Sequence, residues 1–172
     1  MQTDSVNNAA TKQIITQVLN AWTAENKKVT DFFSKYADEV YMQEIAEGRN
    51  RAIYLLGHLV AVNDALLPLM GFGERLYPEL EQPFLRSADR TTEDSYTVAD
   101  LKQKWQEVND LLSTHFTKLE PADWLDRHMS VSPEDFAKEP HRNRLNVILG
   151  RTNHQASHMG QLNLLHKHAL AD

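Results

Sequence analysis

The sequence reads TVADLKQKWQEVNDLLSTHFTKL from residue 97 to residue 119, and this stretch predicts an amphipathic helix. Thr97 and Asp100 resemble a capping box, with Asp in the place of the usual Glu or Gln. Apolar residues then recur at multiples of three and four, as on one face of an α-helix. They are Val98, Leu101, Trp105, Val108, Leu112 and Leu119. The pattern is typical of a helix in a helical bundle.

Three further stretches have helical periodicity, and the sequence has no convincing alternating strand pattern or internal repeat. We expect the first helix over about residues 6–36 and the second after the break at residues 47–50. The fourth is expected over about residues 142–168, where no charged residue occurs between Thr152 and Leu165. The sequence therefore predicts an all-α fold, arranged as a four-helix bundle.

Two long connections, about residues 71–96 and 120–140, join the later helices and contain two and three prolines, respectively. Connections of this length are commonly functional or contain short helical turns, and we expect them to lie across the ends of the bundle. The length of 172 residues is that of one ordinary domain. We therefore predict a single domain over residues 1–172.

The composition limits the possible chemistry. The chain has no cysteine, which excludes disulfides, thiolate metal sites and cysteine nucleophiles. Its formal charge of -6, without a long basic run, argues against a nucleic-acid surface. No signal peptide is evident at the amino terminus, so we expect a cytoplasmic protein. The apolar window at residues 52–72 is interrupted by polar residues and Pro68, so we expect no membrane span.

Three histidines are the candidate functional residues. His154 and His158 are four residues apart on the fourth helix, so their rings share one face. His58 lies on the apolar face of the second helix and is expected to point inward. If the three converge, their imidazole nitrogens could bind one metal ion. Gln161, one turn beyond His158, could form a hydrogen bond to a ligand histidine or to a metal-bound water without binding the metal itself.

A structural interpretation of the same residues stays open. A histidine on an apolar helix face is more often satisfied by a hydrogen bond than by a metal, and two histidines four residues apart are a weak pattern alone. Gly57 and Gly160, beside His58 and His158, could permit close approach of helices or serve packing only. A di-iron site is disfavoured, because the repeated Glu-x-x-His pairs of such bundles are missing.

Other candidates are weaker. We interpret His115 as a core or boundary histidine, and Glu44 and Glu47 as exposed rather than as a general base. Trp124, in the second connection, could line a pocket, whereas Asp64 should face away from His58. The remaining histidines are expected to be solvated; they are His128, His141, His166 and His168.

The sequence resembles the DinB-like (DinB/YfiT) superfamily over nearly its whole length. The resemblance rests on GHL at residues 57–59 and on HQASHMGQL at residues 154–162. The element His158-Met159-Gly160-Gln161 is its most specific part. In that family a four-helix bundle binds a divalent metal through positions that match His58, His154 and His158.

The resemblance implies a nickel or zinc ion with open coordination positions, and a homodimer. It also implies an activity on a small-molecule substrate: transfer of a low-molecular-weight thiol, thiol-dependent isomerisation or metal-dependent hydrolysis. Because the chain has no cysteine, a thiol nucleophile would have to be a cosubstrate. The alternative is a non-catalytic stress-related protein that binds a metal or a small ligand.

Overall fold

A computed structural model describes residues 2–93 and 95–165, with side chains from residue 8 onward. Within these residues the structure contains seven α-helices, short 3-10 and π-helical turns, and no strand. The α-helices are α1 (Gln2–Phe33), α2 (Ala52–Asp64), α3 (Leu66–Met70), α4 (Val98–Phe116), α5 (Pro121–Leu125), α6 (Pro133–Lys138) and α7 (Arg144–Leu162). The predicted all-α class is confirmed.

The helix ends follow from local hydrogen bonds. Thr97 and Asp100 form the predicted capping box, in which the Thr97 hydroxyl accepts from the Asp100 amide at 3.1 Å. The first helix ends at Phe33, three residues before the expected end. The Tyr41 hydroxyl donates to the Phe32 carbonyl at 2.6 Å and accepts from the Tyr36 amide, which turns the chain away from the helix axis.

The last helix, α7, is also shorter than expected within the described residues. It begins at Arg144 because the Asn143 side chain caps it, accepting from the Asn146 amide at 2.9 Å. Its last residue is Leu162 rather than His168. His166 and His168, which are expected to be solvated, lie outside the described residues.

Four long helices pack against one another. The α1 helix packs on α7 and α4, and the α2 helix packs on α4 and α7. A single cluster of buried apolar side chains runs through all four. These contacts join the four long helices around one core.

The α2 helix is the central element. All of its residues are buried except Tyr54 and His58, which are half-buried, so its apolar surface extends beyond the single predicted face. Residues Ala52–Met70 are long and apolar enough to span a membrane, with a mean hydropathy of 1.5, but 72% of that window is buried inside the fold. Burial of this extent is typical of a core helix.

The first long connection runs along α2, not across an end of the bundle as expected. We call residues 76–89 the strap. The Asp64 carboxylate accepts from the Leu76 and Tyr77 amides at 2.8 and 3.1 Å, near the end of α2. At the start of α2, the Asp89 carboxylate binds the Arg51 amide and guanidinium, each at 2.7 Å. The strap is therefore fixed to both ends of α2 and runs antiparallel to it.

The second connection packs against the carboxyl end of α3. The Met129 amide donates to the Leu69 carbonyl at 2.9 Å, and the Arg144 guanidinium donates to the Met70 carbonyl at 3.1 Å. Trp124 is buried and lines a cavity of about 600 Å³ beside α1 and α4. Trp124 therefore lines a pocket, as expected. The described residues that line this pocket do not include the three histidines.

Asp64 is expected to carry much of the attachment of the strap. The Asp64→Ala variant leaves two backbone N–H groups without their acceptor, so we expect the free energy of unfolding to fall by about 2–4 kcal/mol. Urea denaturation of the metal-free protein measures this loss. The exposed Asp110→Ala variant is the control, with an expected change of less than about 0.5 kcal/mol. Equal stability of the two variants would contradict the role of Asp64.

Candidate metal centre

The structure brings the three predicted histidines together between α2 and α7. His58 lies in the middle of α2, and His154 and His158 are one turn apart on the facing side of α7. The His154 Nε2 atom is 3.2 Å from Nε2 of His58 and 3.1 Å from Nε2 of His158. One potential ligand atom from each histidine lies within 4.8 Å of the other two. All three side chains are half-buried.

These separations fit a shared metal ion. Zinc binds histidine nitrogen at about 2.0–2.1 Å with tetrahedral angles, which places two ligand nitrogens about 3.3 Å apart. The two printed Nε2 separations, 3.1 and 3.2 Å, are close to that value. Three ligands from the protein would leave at least one coordination position for another ligand.

Hydrogen bonds on the outer side orient two of the rings. The His58 Nδ1 atom is 2.9 Å from the Phe84 carbonyl oxygen, which can only accept, so Nδ1 is the protonated nitrogen. The His158 Nδ1 atom is 2.9 Å from Oε1 of Gln161 and donates to it in the same way. In the neutral rings, both Nε2 lone pairs then point to the centre of the cluster.

Phe84 supplies its carbonyl from an unusual turn. The strap forms a π-helical turn at Gln82–Arg86, with Pro83 in its first positions. Such turns interrupt the regular hydrogen-bond pattern of the backbone and are frequent at functional sites. The turn therefore allows the Phe84 carbonyl to serve as the acceptor for His58.

The third ring, that of His154, allows two arrangements of its proton. His154 Nδ1 is buried and has no hydrogen-bond partner. If His154 Nε2 carries the proton, Nδ1 is a buried acceptor without a donor. If Nδ1 carries it, three Nε2 lone pairs face one another. A divalent cation among the Nε2 atoms would bind all three lone pairs of the second arrangement, so the residues fit a metal ion; His154 Nδ1 has no hydrogen-bond partner among the described residues in either arrangement.

The surroundings of His58 and His154 favour the neutral rings that metal binding requires. Burial lowers the pKa of His58, although its hydrogen bond to Phe84 acts in the opposite direction. Burial and the charges of His158, His58 and Arg151 lower the pKa of His154 from 6.5 to about 4. No carboxylate among the described residues contributes to either shift. The site is therefore electropositive once an ion is bound.

Gly57 provides the space for the strap to approach α2. A Cβ atom at residue 57 would overlap the ring of the buried Phe84 side chain. The close approach is thus to the strap, rather than to another long helix. Gly160 was the other candidate for a close approach. A Cβ atom added at residue 160 would lie more than 4 Å from its packing neighbours among the described residues, so Gly160 is not required for a close contact there.

The other candidate residues lie elsewhere. The His115 ring stacks on Phe72 with centroids 4.6 Å apart, and Glu44 binds Arg90 and the Gly48 amide. Asp64 faces the strap, as described above. His141 is exposed as expected.

His128 is a correction to the prediction that it is solvated. Its side chain is half-buried, its Nδ1 atom is buried without a partner, and burial lowers its pKa. The folded second connection covers it, which the sequence pattern of a connection does not reveal.

Comparison with known families agrees with this geometry. The sequence model of the DinB superfamily matches residues 21–162, which include all three histidines, Phe84 and Gln161. The chain belongs to the DinB superfamily. No curated protein is significantly similar to this DinB superfamily member. The family match therefore supports the metal site at the level of the superfamily, while the identity of the metal stays a prediction.

Two residues of this DinB superfamily site were not predicted from the sequence. The Phe84 carbonyl comes from a connection without a readable motif, and a backbone acceptor leaves no trace in residue type. Arg151 lies three residues before His154, on the same side of α7, and this spacing could have drawn attention to it. Its side chain is half-buried close to the histidines.

The Gly57→Ala variant tests the contact between α2 and the strap. The added methyl group displaces the Phe84 ring and with it the carbonyl that orients His58. We expect stability to fall by about 1–3 kcal/mol and Zn²⁺ affinity to fall about tenfold or more. Urea denaturation and competition with a chelating dye measure the two effects. Gly160→Ala is the matched control and should keep wild-type affinity; equal affinities of both variants would refute the coupling.

The lowered pKa of His154 predicts how the metal-free protein responds to acid. The unfolded chain, with a histidine pKa near 6.5, binds more protons than the native state, in which the pKa is about 4. The contribution of His154 to stability is therefore complete above pH 6.5, is lost as the pH falls, and levels off near pH 4. We expect His154→Leu to reduce this loss in urea denaturation at successive pH values. The exposed His141→Leu variant is the control. The assignment would be contradicted if His154→Leu kept the wild-type dependence of stability on pH, or if His141→Leu changed that dependence equally.

Proposed function

We propose that this DinB superfamily member is a metal-dependent enzyme that transfers a small-molecule thiol or hydrolyses a small substrate. The observation that supports the proposal best is the convergence of the Nε2 atoms of His58, His154 and His158. Nickel or zinc is the ion that this donor set and the family resemblance favour. A bound ion of this kind lowers the pKa of a water molecule or thiol that it coordinates.

The protein contributes orientation and exclusion of water. The Phe84 carbonyl and the Gln161 side chain hold two rings so that their Nε2 lone pairs face inward. Half-burial of the three rings limits the access of bulk water, and burial favours the neutral forms of His58 and His154. Three neutral ligands leave the full charge of the ion available to a substrate.

One observation on the carboxylates of the described residues favours thiol transfer over base-assisted hydrolysis. Among the described residues, no carboxylate affects the pKa of His58 or His154. Hydrolysis commonly uses a general base, whereas a thiol that has lost its proton needs none to attack. In the proposed reaction the thiol proton passes to solvent, a sulfur–carbon bond forms on the electrophilic substrate, and the leaving group departs with its electron pair.

The same observation leaves a non-catalytic alternative, in which the bundle only binds a metal or a small ligand. A thiol-dependent turnover by the metal-loaded protein would exclude it.

We also propose, from the family resemblance, that the protein is a cytoplasmic homodimer. Sedimentation equilibrium of the full chain tests the dimer.

Elemental analysis tests the metal site directly. For protein purified without a polyhistidine tag and offered Zn²⁺ or Ni²⁺, we expect about one ion per chain. His58→Ala and His154→Ala should both lose it, because each removes one of three ligands. The exposed His141→Ala variant is the control and should retain it. Metal retained at wild-type affinity in either ligand variant, or metal absent from the wild type, would overturn the proposal.

The metal-loaded wild type is then screened with small thiols and electrophilic acceptors, and separately with hydrolysable esters and amides. We expect product with the thiols, dependent on both His58 and His154. Turnover only in the ester and amide assays would favour hydrolysis. No turnover in either screen, with metal bound, would favour the binding protein.

A further inference from the structure

Arg151 is a half-buried arginine whose side chain has an unpaired nitrogen. Its Nε atom is buried and has no hydrogen-bond acceptor among the described residues. Burial lowers the pKa of the guanidinium, because a buried charge is less well solvated. A buried charged donor without a partner costs free energy that a paired one does not. The protein therefore maintains a cation here without an evident structural partner.

The other buried or half-buried arginines among the described residues are paired. Arg51 binds Asp89 at 2.7 Å, Arg144 donates to the carbonyls of Met70 and Asp123, and Arg127 donates to the Val131 carbonyl at 2.7 Å. Arg51 and Arg144 each join one segment of the fold to another, and Arg127 binds within the second connection. Arg151 makes no such contact within the described residues, so packing of the fold does not explain its charge.

The position of Arg151 relates it to the histidines. It lies three residues before His154 and seven before His158, so it is on the same side of α7 as both. Its charge acts on the rings of His58 and His154, which come from two different helices. Arg151 therefore lies on the face of α7 that carries the histidines, and its charge reaches two of them.

The charge of the cluster is unbalanced. Three neutral histidines and a divalent ion carry two positive charges, and Arg151 adds a third. No carboxylate among the described residues offsets them in the interactions of His58 and His154. An anionic ligand would provide the missing charge and also the missing acceptor. A carboxylate suits a planar guanidinium, because its two oxygens can accept two parallel N–H bonds.

We propose that Arg151 binds the carboxylate of the substrate or thiol cosubstrate that reacts at the three-histidine site. This inference rests on the proposed function and narrows its substrate class to carboxylate-bearing molecules. Arg151 is a specificity residue in this proposal: it selects and orients the ligand while the histidines hold the ion.

Two small thiols make a matched pair of probes, since mercaptoacetate and 2-mercaptoethanol share the thiol and differ in the carboxylate. Each is titrated into Zn²⁺-loaded protein, and binding is followed by the ¹H–¹⁵N resonance of the Arg151 Nε–H group, identified by its absence in Arg151→Gln. We expect mercaptoacetate to bind about tenfold or more tightly than 2-mercaptoethanol and to shift that resonance. Equal affinities in the wild type would overturn the inference.

Variants separate charge from geometry. Arg151→Gln should abolish the preference for mercaptoacetate, as measured by calorimetry, while Arg151→Lys should retain part of it. Arg142→Gln, which changes an arginine paired with Glu139 before α7, is the control and should keep the full preference. A preference unchanged in Arg151→Gln would assign the carboxylate to another residue and overturn the inference.

The two proposals can fail separately. If Zn²⁺ binds stoichiometrically but the two thiols bind equally, the metal site stands and the role of Arg151 falls. If Zn²⁺ does not bind, the proposed function falls, and the same titration of metal-free protein still tests Arg151. There a shift of its Nε–H resonance by mercaptoacetate but not by 2-mercaptoethanol supports carboxylate binding, and no shift refutes it.

Discussion

The contact between Gly57 and the Phe84 ring determines how closely the strap approaches α2. Because residue 57 has no side chain, the strap can come near enough for the Phe84 carbonyl to bind His58 Nδ1 at 2.9 Å. That hydrogen bond fixes which nitrogen of His58 faces α7. The Asp64 and Arg51 contacts at the two ends of α2 hold the strap in this register. The geometry of the candidate metal centre thus depends on a contact outside it.

The sequence was informative where chemistry depends on residue type and helical period. The stripe of α4, its capping box and the shared face of His154 and His158 follow from spacing alone, and the structure agrees with them. The meeting of His58 with the α7 pair was a matter of tertiary packing, and the family resemblance anticipated it. Spacing along one helix cannot show which other helix faces it.

The path of the strap was not predictable in the same way. Its course along α2 depends on side-chain to backbone bonds, as between Asp64 and the Leu76 amide, and any residue type offers a backbone amide. The π-helical turn at Gln82–Arg86 has no periodic pattern of its own. Arg151 escaped attention because a single arginine on a helix is usually solvated; only its burial without a partner distinguishes it.

The strap also bears on the order in which the chain assembles. Its contacts with α2 join residues 12 to 38 positions apart, whereas the His58 and His154 pair is separated by 96. Loop closure costs more entropy as the loop lengthens, so the shorter loops are favoured to close first. During synthesis, α2 and the strap also leave the ribosome well before α7. The half of the site that carries His58 can therefore be in place before the last helix docks, and the docking of α7 completes the ligand set.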